Sequence, residues 1–455
     1  MSLLTTILAF LVTLGLLIVI HELGHYWVAR VSDVKVLRFS VGFGKPLWSR
    51  KVGPDRTEWV IAAFPLGGYV KMLDEREGPV DAAEAHRAFN RQSVRRRFAI
   101  VAAGPLANFL LAVLLYWALF IYGVPGLKPV LGPVPQATPA AAAGFRAGDT
   151  VVKIGDEPVQ TWQDARWLLL QHAVQKSRVN ITVREDSGRA AARELDLSHL
   201  TPADLDSDFL RVLGLARLQP SLPAVIGNLV SGGAAERAGL KVGDEIVSIS
   251  NRAVRSWDDV VSTVRSSPAQ LLTIEVRRAG APIPVISVTP EVFSENGAAI
   301  GRIGAGPRID RASLAALMTE VRYGPIEAFT KALYKTWDTS VFSLKMLGKM
   351  IVGEVSLKNL SGPITIADYA GQSAQMGWVS YLLFLALISI SLGVLNLLPI
   401  PLLDGGHLMY YVLEVFKGSP VSDKAIEIGQ HLGMALLFVL MAFALYNDIN
   451  RLISG

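Results

Sequence analysis

The chain of 455 residues contains no cysteine. Disulfide bonds and thiolate metal ligands are therefore excluded, and any bound metal must be held by His, Asp or Glu. Charged residues are scarce, at 18% of the chain against 51% hydrophobic residues, and the mean hydropathy is +0.38. This composition indicates an integral membrane protein. The net charge is only +5, and basic residues crowd beside apolar segments, which favours membrane topology over nucleic-acid binding.

Stretches without any charged residue recur four times along the chain. A membrane-spanning helix needs about 20 apolar residues. We therefore predict transmembrane helices at 1–31, 98–123, 376–403 and 429–448. The first stretch lacks the basic start and the small-residue cleavage site of a signal peptide, so we interpret it as a retained span.

Lysine and arginine are concentrated in residues 32–97, which end in three consecutive arginines directly before the second predicted span. The positive-inside rule places this segment in the cytoplasm. The amino terminus, the long region 124–375 and the carboxyl terminus then lie on the outer side, and the loop 404–430 lies inside.

Two segments outside the spans have a recognisable pattern. In the cytoplasmic loop 32–97, a β-prone run followed by Gly67 and Gly68 predicts a membrane-associated β-hairpin. This hairpin either packs on the helices or offers an edge strand to an unwound substrate, with Gly67 and Gly68 as candidate substrate-binding residues. In 322–375, apolar residues at helical spacing predict amphipathic helices near the outer surface.

An internal repeat lies between the second and third spans. The twelve residues Ala143–Ile154 match Ala238–Ile249 at an offset of 95, in the pattern A-G-[FL]-x-x-G-D-x-[VI]-[VI]-x-I. Two tandem copies of one fold are the physical interpretation. The pattern resembles bacterial PDZ domains, and we place the two copies at 127–219 and 221–307. They either bind peptide C-termini by strand addition or act as a spacer, plug or size filter.

The motif H-E-x-x-H, formed by His21, Glu22 and His25, stands at the inner end of the first apolar stretch. On a helix it places two imidazoles on one face, where they can share a metal ion, and the glutamate can act on a water molecule. A charged residue inside a membrane-length apolar segment costs about 3 kcal/mol, so such residues are usually functional.

A second polar cluster ends the third apolar stretch. Asn396, Pro399, Pro401 and Asp404 follow one another in the pattern N-x-x-P-x-P-x-x-D-G. Asp404 is the natural third ligand, because both clusters lie near the same membrane face and a catalytic zinc commonly has three protein ligands. Asn396 and Pro399 are candidate substrate-binding residues. The alternatives are that Asn396 bonds another helix and that the prolines only end a helix and aim Asp404 at the metal.

With these residues in place, the chain resembles the site-2 protease family of intramembrane zinc metalloproteases, which pairs HExxH on one helix with N-x-x-P-x-P-x-L-D-G on a later one. The resemblance covers essentially the whole chain and includes the stretch Ala103–Asn108. It implies cleavage of single-pass membrane proteins in a bacterial inner membrane, after a first protease has trimmed the substrate. An anti-sigma factor would be the usual substrate, with signal-peptide remnants as a second class.

The predicted architecture is a multi-pass α-helical membrane protein with four transmembrane helices, a membrane-associated β-hairpin and two tandem PDZ-like α+β domains in the periplasm. One Zn²⁺ per chain would be bound by His21, His25 and Asp404, with Glu22 as general base and then acid. Two rival functions remain open: a metal-ion transporter, and an inactive membrane-anchored PDZ adaptor. Transporters commonly contain paired membrane repeats, and the four apolar stretches show none.

Overall fold

The computed structural model describes residues 3–206, 208–219, 222–295, 298–308 and 311–454. The chain divides into two compact units. One runs up to Val124 and from Val321 to Asn450, and the other contains Pro125–Glu320 and the residues from Arg451 onward. The candidate metal ligands all belong to the first unit.

The first unit is built from long helices. Its α-helices in the described residues are α1 (Leu3–Val31), α2 (Val94–Tyr122), α3 (Pro325–Ile351), α4 (Pro363–Met376), α5 (Trp378–Leu397), α6 (Asp404–Lys417) and α7 (Asp423–Ser454). Helices α1, α2, α5 and α7 are long and apolar enough to cross a membrane, with mean hydropathies of 2.8, 2.3, 2.2 and 1.9. The four spans predicted from apolar stretches therefore correspond to helices of spanning length.

The helix ends differ from the predicted boundaries for local reasons. Helix α2 begins at Val94, so the three arginines lie inside its first turns and not in the loop before it. Helix α5 ends at Leu397, because Pro399 and Pro401 lack backbone donors. A separate helix, α6, begins at Asp404, where the sequence analysis predicted a loop.

Helices α3 and α4 correspond to the predicted amphipathic region, and both pack along the spans. Helix α3 contacts α2 and α5, and its Ala332 is buried in one apolar cluster with Tyr116 and Ala386. Helix α4 contacts α1 and α5, and Gly371 of α4 lies directly against Thr6 of α1. The predicted amphipathic helices are therefore packed against the spans, and their position near the outer surface stays a prediction.

The carboxyl-terminal end of α7 is fastened to the start of α4. The buried Asp448 carboxylate accepts hydrogen bonds from the backbone N–H groups of Gly362, Ile364 and Thr365, at 2.9, 2.8 and 3.1 Å. It also accepts one from the Thr365 hydroxyl at 2.6 Å. The first N–H groups of a helix have no partner within the helix, so Asp448 caps α4 from a distant part of the chain.

The cytoplasmic loop contains two long paired strands, β1 (Val36–Val52) and β2 (Thr57–Met72). Both bend near the middle, so that Arg38 of β1 faces Lys71 on one side and Glu58 on the other. The bends fall at glycines, with φ of +91° at Gly42 and +146° at Gly67, values that favour glycine. The hairpin therefore folds into four strand segments, with residues 36–41 in the middle and 68–72 at an edge.

The bent part of this sheet carries exposed apolar side chains. These are Phe43, Leu47, Trp48, Ile61 and Phe64, each 46–71% exposed. A contiguous exposed apolar patch marks a membrane or protein contact, which supports the expectation of a membrane-associated hairpin. Two 3₁₀ turns, Ala85–Arg87 and Phe89–Arg91, follow before α2.

The second unit contains the two copies of the repeat. The first copy has strands Thr150–Ile154, Glu157–Pro158, Arg178–Arg184 and Ala190–Asp196, with helices Pro139–Ala142, Trp162–Val174, Pro202–Asp206 and Phe209–Leu213. The second has strands Ile226–Leu229, Glu245–Ile249, Arg252–Ala253, Leu272–Arg278, Ala281–Pro282, Ile286–Val288, Glu291–Glu295, Ala298–Arg302 and Ala305–Pro307, with helices Ala234–Arg237 and Trp257–Arg265. Each copy has its own apolar core. The shared element order confirms the sequence repeat.

The Gly-Asp turn of the repeat is built the same way in both copies. Asp149 accepts a hydrogen bond from the backbone N–H of Arg146, and Asp244 accepts one from that of Lys241. Burial alone would raise the pKa of Asp244, but the Arg278 guanidinium at 2.7 Å and the Lys241 N–H outweigh it and hold the pKa below its ordinary value. These buried carboxylates explain why both copies carry Asp at this position.

The two copies differ at the helix that follows the turn. In the second copy, a cleft of about 490 Å³ opens beside helix Trp257–Arg265, lined by Val230, Val261, Phe293 and Ile303 among others. In the first copy, Phe209 and Leu213 of an additional short helix are buried in the core beside Leu169. Arg166, the counterpart of Val261 at the offset of 95, lies over the Phe209 ring. In the first copy, the buried Phe209 therefore lies beside the counterpart of this helix, and a separate cleft of about 470 Å³ is lined by Ala142, Leu200 and Leu213 among others.

Candidate metal centre

Three candidate ligands from distant parts of the sequence meet at one point. The Nε2 atoms of His21 and His25 are 3.2 Å apart. The Oδ2 atom of Asp404 is 3.1 Å from the first and 3.5 Å from the second. In the described part of the chain, these three residues form the one group of His, Asp and Glu side chains that could hold a metal ion.

The spacing of these atoms fits zinc. With zinc–ligand bonds of about 2.0–2.1 Å, ligand atoms at the corners of a tetrahedron are roughly 3.3 Å apart. The observed separations of 3.1, 3.2 and 3.5 Å lie on both sides of this value. Asp404 Oδ2 is fully buried with no hydrogen bond found among the described residues. Two imidazole nitrogens and a carboxylate oxygen that converge at these distances offer three ligand atoms to one cation.

The local backbone explains how Asp404 reaches the two histidines. Leu402 has a positive φ of +88°, which turns the chain sharply between α5 and α6. A side chain on Gly405 would overlap the carbonyl oxygens of Leu397 and Leu398, so the turn can close only with glycine there. Asp404 then stands at the first position of α6.

Helix α6 is held against α2 by a buried ion pair. Arg97 of α2 donates to Glu414 of α6 at 2.6 Å, and both side chains are at most 13% exposed. The Arg97 guanidinium also lies 5.0 Å from the centre of the Tyr411 ring, an arrangement that attracts a cation to the ring face. The pair fixes the helix whose first residue is Asp404.

Two glycines let α1 approach α2 at the metal site. A β-carbon on Gly24 would overlap the carbonyl oxygen of Ala103 and lie 2.9 Å from the Ala107 β-carbon. A β-carbon on Gly104 would overlap His25 Nε2 and lie 2.8 Å from His21 Nε2. The sequence analysis assigned no role to either glycine, since the need for a missing side chain appears only when two helices are placed together.

Hydrogen bonds to the far side of each imidazole orient the two rings. His25 Nδ1 is 2.8 Å from the backbone oxygen of Ile100 and donates to it. His21 Nδ1 is 3.3 Å from the side-chain amide of Asn108. The sequence analysis assigned no role to Asn108, although a polar side chain inside the uncharged second stretch was a signal that could have drawn attention to it.

Of the remaining candidate residues, Glu22 and Gly68 lie beside the cluster, and Asn396 and Pro399 lie at the end of α5 and after it. Glu22 is buried beside the two histidines on α1. A β-carbon on Gly68 would lie 3.0 Å from Glu22 Cγ, so the edge segment of β2 runs alongside this glutamate. Asn396, in the last turn of α5, is half-exposed, and no hydrogen bond from its side chain to another helix is found in the described residues. Pro399 is exposed in the non-helical segment before α6.

A helix-borne H-E-x-x-H completed by a distant carboxylate, inside a unit of spanning helices, defines a membrane metalloprotease. The sequence model of peptidase family M50 matches residues 9–440, and the chain belongs to this family. The resemblance to site-2 proteases is thereby confirmed, and the chain is a zinc-dependent metalloprotease of the site-2 type.

Curated relatives match over nearly the whole chain. The regulator of sigma-E protease RseP of Escherichia coli is 42% identical over 455 residues, covering 99% of this chain and 100% of the relative. The regulator of sigma E protease of Salmonella typhi is 42% identical over 456 residues, with the same coverage. Protease RseP of Yersinia pestis is 40% identical over 453 residues, again covering 99% and 100%. The predicted protease function is therefore favoured over a transporter.

Proposed function

We propose that this protein hydrolyses a peptide bond within the membrane-spanning segment of single-pass proteins, with His21, His25 and Asp404 as zinc ligands and Glu22 as the catalytic residue. The observation that carries the proposal is the meeting of three ligand atoms at 3.1–3.5 Å beside a buried glutamate. Zinc held by these three residues would polarise the scissile carbonyl and make water a better nucleophile at neutral pH.

Glu22 supplies the proton transfers. Its carboxylate takes a proton from the attacking water and then delivers it to the leaving nitrogen, as general base and general acid. Its position one residue after His21 on α1 places it beside the cluster. Asp404 and the two imidazoles contribute no proton in this scheme, because their role is to hold the metal.

A substrate helix must unwind before its carbonyl can be attacked, because helical carbonyls are already hydrogen-bonded. Gly67 and Gly68, at the start of the edge segment of β2, offer backbone groups to an extended substrate next to Glu22. The half-exposed amide of Asn396 is suited to bond a freed substrate backbone group, and Pro399 keeps the segment before Asp404 open and non-helical. Backbone recognition of this kind tolerates many substrate sequences.

The names of the relatives suggest the biological substrate. We propose that the substrate of this chain is an anti-sigma factor already shortened by a first protease, and that remnants of signal peptides are a second class of substrate. By the positive-inside rule, the arginines at the start of α2 favour a cytoplasmic hairpin, and we propose that the second unit lies in the periplasm of a bacterial inner membrane. Because the chain has no native cysteine, labelling single introduced cysteines from each side of the membrane checks this orientation.

The decisive assay uses membranes that contain the full chain and a truncated single-pass substrate. Removal of zinc by a chelator should stop release of the cleaved fragment, and added Zn²⁺ should restore it, whereas Mg²⁺ should not. Fragment release that persists after complete zinc removal would contradict the proposed mechanism.

The second PDZ-like copy is the one suited to bind a peptide. Its cleft of about 490 Å³ lies between a helix and a strand, the arrangement in which peptides add to a sheet edge. Val261 is 39% exposed at this cleft, whereas the first copy fills the equivalent place with Phe209. We propose that the cleft of the second copy binds a peptide C-terminus with an apolar last residue, which cleavage by a first protease would create.

Replacement of Val261 by lysine should weaken binding of such a peptide to the full chain by about tenfold or more, because the charge would be buried in an apolar cleft. Fluorescence anisotropy of a labelled peptide measures the change. Ser262→Lys, one position away on an exposed face of the same helix, is the matched control. Equal affinities for the two variants would argue for a size filter in place of a peptide site.

A further inference from the structure

The side chain of Asn108 is a buried polar group for which the proposed reaction has no use. It lies in the middle of α2 and is fully buried, with 0% exposure. One atom of its amide group is 3.3 Å from His21 Nδ1, and its other atom, Oδ1, has no hydrogen-bond partner among the described residues. A buried amide is costly to leave unpaired, at about 1–3 kcal/mol, so its place beside a metal-site histidine calls for a reason.

The protonation of the two imidazoles supplies that reason. A neutral imidazole carries one proton, so a ring that turns Nε2 towards a metal must carry its proton on Nδ1 and donate it to an acceptor. His25 meets this requirement with the backbone oxygen of Ile100, at 2.8 Å. His21 needs an equivalent acceptor, and the group found at its Nδ1 is the amide of Asn108.

The amide can act as that acceptor through its oxygen. A half-turn about the last side-chain bond exchanges Oδ1 and Nδ2 without moving any other group. Oδ1 then accepts from the Nδ1–H of His21, and Nδ2 takes the position that Oδ1 had. This orientation is the one that agrees with a proton on Nδ1 and a free electron pair on Nε2.

The position of Asn108 is fixed independently of its amide. The Ser389 hydroxyl of α5 donates to the backbone oxygen of Asn108 at 2.7 Å, which ties α2 to α5 through the main chain. The contact between these helices therefore does not require an asparagine side chain. The backbone of Asn108 makes the contact between the helices, and the side-chain amide contacts His21.

We infer that Asn108 is a positioning residue for the metal site: its amide oxygen accepts the Nδ1–H hydrogen bond of His21, which fixes the tautomer and the ring plane that turn Nε2 towards zinc. The inference rests on the proposed ligand role of His21. Partners of this kind, on the far side of a ligating histidine, change metal affinity by roughly 10–100-fold when they are removed.

Zinc affinity of the full chain in detergent, measured by competition with a chelator, tests the inference without any activity readout. Asn108→Leu keeps the volume and removes the acceptor, so it should lower zinc affinity by roughly 10–100-fold. Asn108→Asp keeps an acceptor in the same place and should retain affinity near that of the unchanged protein. Ser389→Ala, which removes the main-chain bond only, should leave affinity within about threefold.

A spectroscopic readout separates positioning from general damage. With Co²⁺ in place of zinc, the visible absorption bands report ligand geometry, and they should shift in Asn108→Leu but not in Asn108→Asp. Equal loss of affinity in the leucine and aspartate variants would overturn the inference, as would unchanged affinity in Asn108→Leu.

A His21→Ala variant distinguishes failure of the proposed zinc ligand set from failure of the proposed role of Asn108. If it binds zinc as tightly as the unchanged protein, the proposed ligand set itself fails. If it loses zinc while Asn108→Leu keeps it, the ligand set stands and the role of Asn108 fails.

Discussion

Glu22→Gln should lower peptide-bond cleavage by about 10²–10⁴-fold while leaving the bound zinc and the fold unchanged. Glutamine has nearly the same size and shape as glutamate but cannot take a proton from water. Glu22 is buried on α1 beside the two histidines, so the exchange removes the proton acceptor without opening a cavity. Co-expression with a truncated single-pass substrate, followed by immunoblotting for the released fragment, measures the loss.

The matched control makes the same exchange at an exposed glutamate. Glu427→Gln, on α7, should cleave as the unchanged protein does. Elemental analysis of purified Glu22→Gln should find one zinc per chain. Fragment release by Glu22→Gln at the rate of the control would refute the role of Glu22 as general base.

Removal of the Asp404 carboxylate should have the second large effect. Asp404→Ala takes away one of three converging ligand atoms, the oxygen 3.1 Å from His21 Nε2. Zinc affinity should fall by more than the roughly 100-fold that loss of a hydrogen-bond partner of a ligand can cost. Cleavage should be abolished in the same preparation.

Elemental analysis after equilibration with a weak chelator measures this effect. Asp423→Ala, an exposed aspartate at the start of α7, is the matched control and should keep its zinc. If Asp404→Ala retains the metal as the control does, Asp404 is not a ligand. If zinc-free Asp404→Ala unfolds at the same temperature as the zinc-free unchanged protein, the substitution affects only the metal site and not the fold.

The parts of the molecule that follow from short-range patterns could be predicted from the sequence. Apolar stretches long enough to cross a membrane correspond to α1, α2, α5 and α7, because hydrophobicity over 20 residues is a property of the stretch itself. The i, i+4 spacing of His21 and His25 predicted that they share a helix face. Asp404 was predicted because a catalytic zinc commonly has three protein ligands and the two polar clusters were expected near the same membrane face.

The parts that depend on how helices meet could not be predicted. Gly24 and Gly104 matter because their missing side chains let α1 and α2 come close at the two imidazoles. Asn108 meets His21 across the same contact. The β1–β2 hairpin folds back into four strand segments because both strands bend, at Gly42 and Gly67. The alternation of polar and apolar residues does not show where these bends fall. Each of these features joins residues through space, whereas periodicity describes neighbours along the chain.

The cap that Asp448 provides bears on how this protein can be handled. Four hydrogen bonds from the start of α4 end on a carboxylate only seven residues before the carboxyl end of the chain. Trimming the tail by ten residues, or joining a reporter in place of it, would therefore undo the anchorage of a helix that packs against the H-E-x-x-H helix. A version shortened past Asp448 that loses activity would therefore not by itself mean that the removed residues take part in catalysis.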